Sequence, residues 1–173
     1  MLTIDLKQLI RSVPDFPKPG INFYDITTLL KDPGGLKATI DLLAVPYEAS
    51  GIDVVVGIES RGFILGSAVA QRIGAGFIPV RKPGKLPAKA IKEIYDLEYG
   101  KDALEIHADA IEKGQRVLIV DDVLATGGTA AAATRLVKGL GGALQGLAFL
   151  IELTFLNGKS KLAGENVFSV LQY

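Results

Sequence analysis

The chain has 173 residues, 49% of them apolar, which suits one domain with a full hydrophobic core. Its 19 basic and 19 acidic residues cancel, so no bulk positive field marks nucleic acid as the main partner. The absence of cysteine excludes disulfides, a thiolate nucleophile and cysteine-ligated zinc or iron–sulfur sites, and the single histidine excludes a multi-histidine metal site.

The N-terminal MLTIDLKQLI has no basic flank ahead of a long apolar segment, so no secretion signal is expected there. Apolar runs stay well short of membrane-spanning length, and the expectation is a soluble cytoplasmic protein with no membrane partner. Leu2, Leu6, Leu9, Ile10 and Val13 recur at helical spacing and predict an amphipathic first helix. The proline-rich PDFPKPG, residues 14–20, then requires an ordered turn or extended segment. Leu36, Ile40, Leu43, Ala44 and Tyr47 predict a second helix that Pro46 should kink or end.

Four runs follow without polar alternation: DVVVGI (53–58), GFIPV (76–80), RVLIV (116–120) and ALQGLAFLIEL (143–153). Such runs suit strands covered on both faces. Helical patterns over 62–73 and 129–140 alternate with them, which predicts an open α/β domain with a mainly parallel sheet. The long polar segment between Val80 and Arg116 reads as a lid or binding loop. One domain over 1–173 is expected, and GLGG at 139–142 reads as a helix stop.

Ligands of open parallel sheets sit beyond the carboxyl ends of the strands, so three strand ends matter. At the third, ATGGT (125–129) places small residues and two hydroxyls where strand turns to helix. Glycines let backbone N–H groups converge, the helix adds its positive dipole end, and a phosphate monoester fits. Read alone, the glycine pair is a plain tight turn. GIESRGF (57–63) has P-loop glycine spacing but carries Phe63 where the lysine belongs, which excludes a nucleotide P-loop. Asp121 and Asp122 precede the cradle, and a strand that stops at Asp121 would let both carboxylates border one cleft. Acceptor-only groups suit vicinal hydroxyls, which points to a ribose 5-phosphate; a magnesium ion is the competing use, and the two are compatible.

VLIVDDVLATGGT (117–129) closely resembles the phosphoribosyl pyrophosphate signature of the type I phosphoribosyltransferases. PDFPKPGINFYDITTLLKDP, IESRGF, RKPGKLP, LEYGKDALEIH and FLIELTFLNGKSKL resemble the adenine phosphoribosyltransferase family in order, over roughly residues 5–171. The resemblance implies the type I fold: a central, mainly parallel twisted sheet flanked by helices, a small N-terminal hood (within 1–35) and a mobile lid (81–110 with its flanks). It implies transfer of the 5-phosphoribosyl group from phosphoribosyl pyrophosphate to N9 of adenine, giving AMP and pyrophosphate in purine salvage. Magnesium carried with the donor and a homodimer are implied as well.

By the same resemblance, Ala125, Thr126, Gly127, Gly128 and Thr129 hold the 5-phosphate, and Asp121 and Asp122 hold the ribose. Glu59, Ser60, Arg61, Arg81, Lys82, Lys85 and His107 meet the pyrophosphate, with a non-proline cis peptide expected in the IESRG loop. Asn22, Phe23 and Tyr24 bind the base, Phe23 by stacking. Glu98 and Tyr99 belong to the lid, and Glu98 shares the proton of adenine as N9 attacks. Glu98, Arg61, Asp121 and Asp122 are the implied catalytic set, and no protein-held metal site is implied. Tyr24 stands where the family often has arginine, and Asn22 where it often has an aliphatic residue, so base preference is the point to measure. The competing readings are a non-catalytic sensor of phosphoribosyl pyrophosphate on the same fold and a transferase for another base.

Overall fold

The computed structural model describes residues 5–96 and 100–173. They fall into two units, Met1–Leu42 and Leu43–Tyr173. In the first, the expected helix shrinks to a single turn, α1 (Leu6–Leu9), with Asp5 capping it by accepting the Lys7 N–H at 3.1 Å. The apolar stripe breaks because Val13 belongs instead to β1 (Arg11–Val13), which pairs antiparallel with β2 (Phe23–Asp25). A lone turn of helix is marginal, and pairing with β2 satisfies more backbone groups than extending it would.

The intervening PDFPKPG segment is ordered, as expected. Asp15 and Gly20 take positive φ, the Gly20 N–H donates to Asp15 at 2.7 Å, and the Phe16–Pro17 peptide is cis. Arg11 and Asp25 pair at 2.5 Å across the ribbon. Hydrogen bonds from Thr27 and Arg11 hold the Asp25 carboxyl down at about 2. Next come α2 (Thr27–Lys31) and α3 (Pro33–Ala44). The latter gives way to a 3-10 turn, Val45–Tyr47, where Pro46 ends regular α-helix as expected.

In the second unit the four apolar runs are strands, as their patterning predicts: β3 (Val54–Ile58), followed by α4 (Arg61–Ile73) and β4 (Gly76–Val80). The polar segment after Val80, expected to be a loop, carries a seven-pair antiparallel hairpin, β5 (Ala90–Asp96) with β6 (Lys101–His107). Lys92, Asp96 and Lys101 are exposed, as is Ile94, while Tyr95, Leu104 and Ile106 are buried, so charge along the strands hid a half-buried ribbon. There follow β7 (Arg116–Leu124), α5 (Gly128–Gly139), β8 (Ala143–Glu152) and β9 (Val167–Gln172), the last unforeseen.

Among the described residues the central sheet has five parallel strands in the order β4-β3-β7-β8-β9. This is the mixed α/β, mainly parallel architecture expected from sequence. Val56, Val117, Ile119, Leu147 and Phe149 pack with Leu104, Ile106 and Leu136 in one core. Each such side chain, fully buried, contributes about 1.5–3 kcal/mol relative to exposure.

β7 corrects one expectation. The strand does not stop at Asp121 but runs to Leu124, with Asp121 opposite Phe149, Val123 opposite Ile151 and Leu124 opposite Glu152 on β8.

The inner end of α4 lies very close to β3. A methyl group at Gly57 would fall 2.6 Å from the Phe77 ring and 2.7 Å from the Gly62 carbonyl oxygen. Overpacking of this kind costs about 1–3 kcal/mol. Gly57→Ala is therefore expected to lower the melting temperature by about 2–10 °C, measured by thermal unfolding. An unchanged melting temperature would show that the ring moves aside freely.

Candidate active site at the reversal of strand order

The chain leaves β3 toward one edge of the sheet, to β4, and leaves β7 toward the other, to β8 and β9. Neighbouring strands whose connections diverge leave a crevice beyond their carboxyl ends. A cavity of about 290 Å³ lies there. It is lined by Glu59, Ser60 and Arg61 after β3, by Lys82 after β4, by residues 121–124 of β7, by residues 125–130 of the next turn, and by Phe149.

The turn from β7 into α5 leaves backbone donors open. Gly127 takes φ +80° at the start of α5 and no side chain caps the helix, so its first N–H groups point to whatever occupies the turn. Gly158 backs this loop, a residue the sequence reading passed over. A methyl at Gly127 would sit 2.3 Å from the Gly158 carbonyl oxygen, and one at Gly158 would sit 2.2 Å from the Ala125 carbonyl oxygen. The cradle therefore rests backbone on backbone against the 3-10 turn Gly158–Leu162. The Asn157–Gly158 dipeptide was the available signal, since Asn157 takes positive φ just before the close contact.

Strand alternation sends Asp121 and Asp122 to opposite faces of β7, yet both line the cavity because the strand ends in it. The first turn of α4 meets both. Gly62 lies against Asp121, where a methyl would fall 2.7 Å from Oδ1, and Arg61 donates from Nε to the Asp122 carboxylate. Asp122 is 6% exposed, while the Arg61 side chain keeps 38% of its surface open, so the pair is half-buried. Burial, reinforced by the Asp122 charge, pushes the Asp121 carboxyl well above the ordinary carboxylate range, although the Asp122 N–H donates to it at 2.9 Å. The Glu59–Ser60 peptide is cis and non-proline.

Basic residues at the end of β4 divide. Lys82 lines the cavity, whereas Arg81 and Lys85 do not and turn to Glu59: Arg81 Nε donates at 3.3 Å and Lys85 forms an ion pair. Burial opposes ionisation of Glu59, but hydrogen bonds from Lys85 and from the Lys82 N–H, with the neighbouring cationic charges, hold its carboxyl below the usual range.

His107 closes β6 away from the cavity, paired in register with Ala90, and its Nε2 is buried with no hydrogen-bond partner among the described residues. In the first unit, Asn22 accepts from Ser12 at 2.7 Å, and Phe23 meets Phe16 edge-on at 5.3 Å between centroids. Tyr24 pairs in register with Ser12. Glu98 and Tyr99 lie outside the described residues.

Among the described residues no cluster of three or more histidine or acidic side chains could cage a metal. No helix there is long and apolar enough to cross a membrane.

Such a geometry, an anion cradle beside two acids and a lysine, has close counterparts. The family model for the phosphoribosyl transferase domain matches residues 25–166. The chain is 63% identical over 169 residues to an adenine phosphoribosyltransferase of Solibacter usitatus, covering 98% of each. The crystal structure of adenine phosphoribosyltransferase from Thermoanaerobacter pseudethanolicus superposes with a TM-score of 0.95 at 51% identity, over 97% of this chain and 98% of that one. The Saccharomyces cerevisiae adenine phosphoribosyltransferase, solved with an imino-altritol bisphosphate and adenine, gives 0.90 at 44% identity over 96% of each. The domain match and this full-length similarity together establish that the chain belongs to the adenine phosphoribosyltransferase family.

Proposed function

We propose that the cavity binds phosphoribosyl pyrophosphate and that the chain transfers its 5-phosphoribosyl group to N9 of adenine, releasing AMP and pyrophosphate. The observation that carries the reading is the uncapped, glycine-opened start of α5 in one cavity with Asp121, Asp122, Arg61 and Lys82. Those groups match a donor with a phosphate at one end, a diol in the middle and a pyrophosphate at the other.

In this reading Ala125, Thr126, Gly127, Gly128 and Thr129 hold the 5-phosphate through backbone N–H groups and hydroxyls. Asp121 and Asp122 hold the ribose hydroxyls. Glu59, Ser60, Arg61 and Lys82 serve the pyrophosphate from the cavity wall, and the family resemblance adds Arg81, Lys85 and His107, which stand outside that wall. Asn22, Phe23 and Tyr24 serve as the base-binding residues, with Glu98 and Tyr99 in the lid. Charge that builds on the departing pyrophosphate is met by Arg61 and Lys82, while ring oxygen and C1 gain positive character that the two acids favour. Glu98 shares the proton of adenine during attack, and no covalent intermediate on the protein is required.

Magnesium fits as an ion carried in by the donor. It is usually bound through one or two carboxylates plus substrate phosphates, and Asp121 and Asp122 would supply those carboxylates. When bound it would offset charge on the pyrophosphate. A homodimer and a cytoplasmic setting complete the proposal, supported by the family resemblance and the cysteine-free composition.

Pyrophosphate release from phosphoribosyl pyrophosphate tests the reading. Adenine should support it at least about 100-fold better, in kcat/KM, than hypoxanthine or guanine, because a site built to hydrogen-bond one base edge rejects the others. Comparable rates with guanine would reassign the acceptor, and no release with any base would remove the enzymatic reading.

Asp121 should also trade stability for function. Its raised carboxyl titration means that the folded state is penalised once the group ionises. The penalty is full above the raised titration, shrinks as pH falls below it and is gone once pH drops under the ordinary carboxylate range. Asp121→Asn is expected to raise the melting temperature at neutral pH by about 2–4 °C per kcal/mol relieved, with slower turnover. The gap from the parent should close at acid pH. A variant less stable than its parent at neutral pH would contradict this.

A further inference from the structure

Behind the cavity a hydrogen-bonded chain joins two residues that the proposed function places at opposite ends of the donor. Tyr95 on β5 is 5% exposed and pairs in register with Asp102 on β6. Its hydroxyl donates to Asp102 Oδ2 at 3.1 Å and accepts from Lys82 Nζ at 3.3 Å and from Thr129 Oγ1 at 3.2 Å. Lys82 also forms an ion pair with the same Asp102 oxygen. Lys82 and Thr129 line the cavity, whereas Tyr95 and Asp102 do not.

The proton count fixes how this chain works. A phenol has one proton, and here Asp102 takes it, so the phenolic oxygen is left to accept from Lys82 and Thr129. An ammonium has three protons; Asp102 and Tyr95 take two, and the third remains for an anion in the cavity. A free lysine loses rotamer entropy when it is fixed, and here that ordering precedes ligand binding. Partial burial opposes the charge on Lys82, but Asp102 and Tyr95 more than offset it and raise the titration of the ammonium, so the lysine stays cationic. Asp102 alone could hold the charge. The tyrosine ties that charge to the phosphate loop.

We propose that Tyr95 and Asp102 are positioning residues for the donor, holding Lys82 toward the pyrophosphate end and linking it through the Tyr95 hydroxyl to Thr129 at the phosphate end. This rests on the reading of the cavity as the phosphoribosyl pyrophosphate site. An anion that draws the Thr129 proton removes one donor from Tyr95, so filling the phosphate end is felt at Lys82.

The test compares Tyr95→Phe and Asp102→Asn, each with Lys82 intact and in a Lys82→Ala background, by steady-state kinetics and by calorimetric titration of pyrophosphate. Loss of one hydrogen bond to a charged or neutral partner should raise the KM for phosphoribosyl pyrophosphate about 3- to 30-fold and weaken pyrophosphate binding in parallel. The KM for adenine should stay within about twofold, and in the Lys82→Ala background the added effect should shrink to about twofold or less. Equal losses with and without Lys82 would overturn the proposal, as would KM values for both substrates rising together with a lower melting temperature. If Tyr95→Phe does not fold, Asp102→Asn decides by the same criteria. A parent chain that binds neither pyrophosphate nor phosphoribosyl pyrophosphate overturns the reading of the cavity; a parent that binds both, with variants that bind equally well, overturns the positioning role alone.

Discussion

The site depends on how closely the first turn of α4 approaches the end of β7. Gly62 rests against Asp121 with no room for a methyl group, and from that position the adjacent Arg61 reaches the Asp122 carboxylate. Two connections that diverge across the sheet are thereby fastened at the point where they part. The arrangement runs against stability at one residue, because Asp121 is a partly exposed acid held against a second acid in a desolvated pocket, which pushes its titration up. The half-buried pair with Arg61 offsets the charge of one acid and leaves the other in an unfavourable place. Such local cost is the pattern expected where a fold serves a ligand rather than its own core.

A second backbone contact fixes the other half of the cleft. Gly127 and Gly158 touch where neither can carry a side chain, so the loop before α5 cannot collapse onto itself. Behind Gly158, Lys159 pairs with Glu152 at 2.8 Å, and Ser169 donates to the same carboxylate at 2.6 Å. Glu152 is buried at the end of β8, and these partners outweigh burial to keep it ionised. The 3-10 turn that supports the anion cradle is thus tied to the last two strands of the sheet. The chain that passes through Lys82, Asp102, Tyr95 and Thr129 ties it on the other side to the β5–β6 hairpin.

Much of this was legible from the sequence, for identifiable reasons. Unbroken apolar runs such as Val54–Ile58 can only be strands buried on both faces, and the helical stripes between them dictated parallel pairing. The glycine pair alone reads as a plain tight turn, and only with the aspartates before it and the threonines around it does it point to an anion cradle. Elements whose stability comes from distant partners were hidden. Leu6 through Val13 look helical, yet Val13 is taken by Phe23, far along the chain. The hairpin over 90–107 was obscured by the lysines and acids spread along its strands, and β9 lacks an unbroken apolar run because Ser169 and Gln172 interrupt it. The acids were expected to share a cleft through an early strand end. They share it because the strand carries them into the cleft, and one long arginine spans to the farther of the two. Asn157–Gly158 marks a turn but not what that turn supports, and nothing in the local sequence of Tyr95 ties it to the cradle.

The close contact of α4 on β7 sets the donor geometry, and Gly62→Ala perturbs that contact alone. A methyl there must push Asp121 or the helix turn aside. Displacements near 1 Å at a reacting centre cost about 100-fold in rate. The measurement is kcat/KM for phosphoribosyl pyrophosphate alongside thermal unfolding of the same variant. The account predicts a fall of about 100-fold in a protein that still folds cooperatively. A variant that folds with a lowered melting temperature but keeps kcat/KM within about twofold of the parent would contradict it.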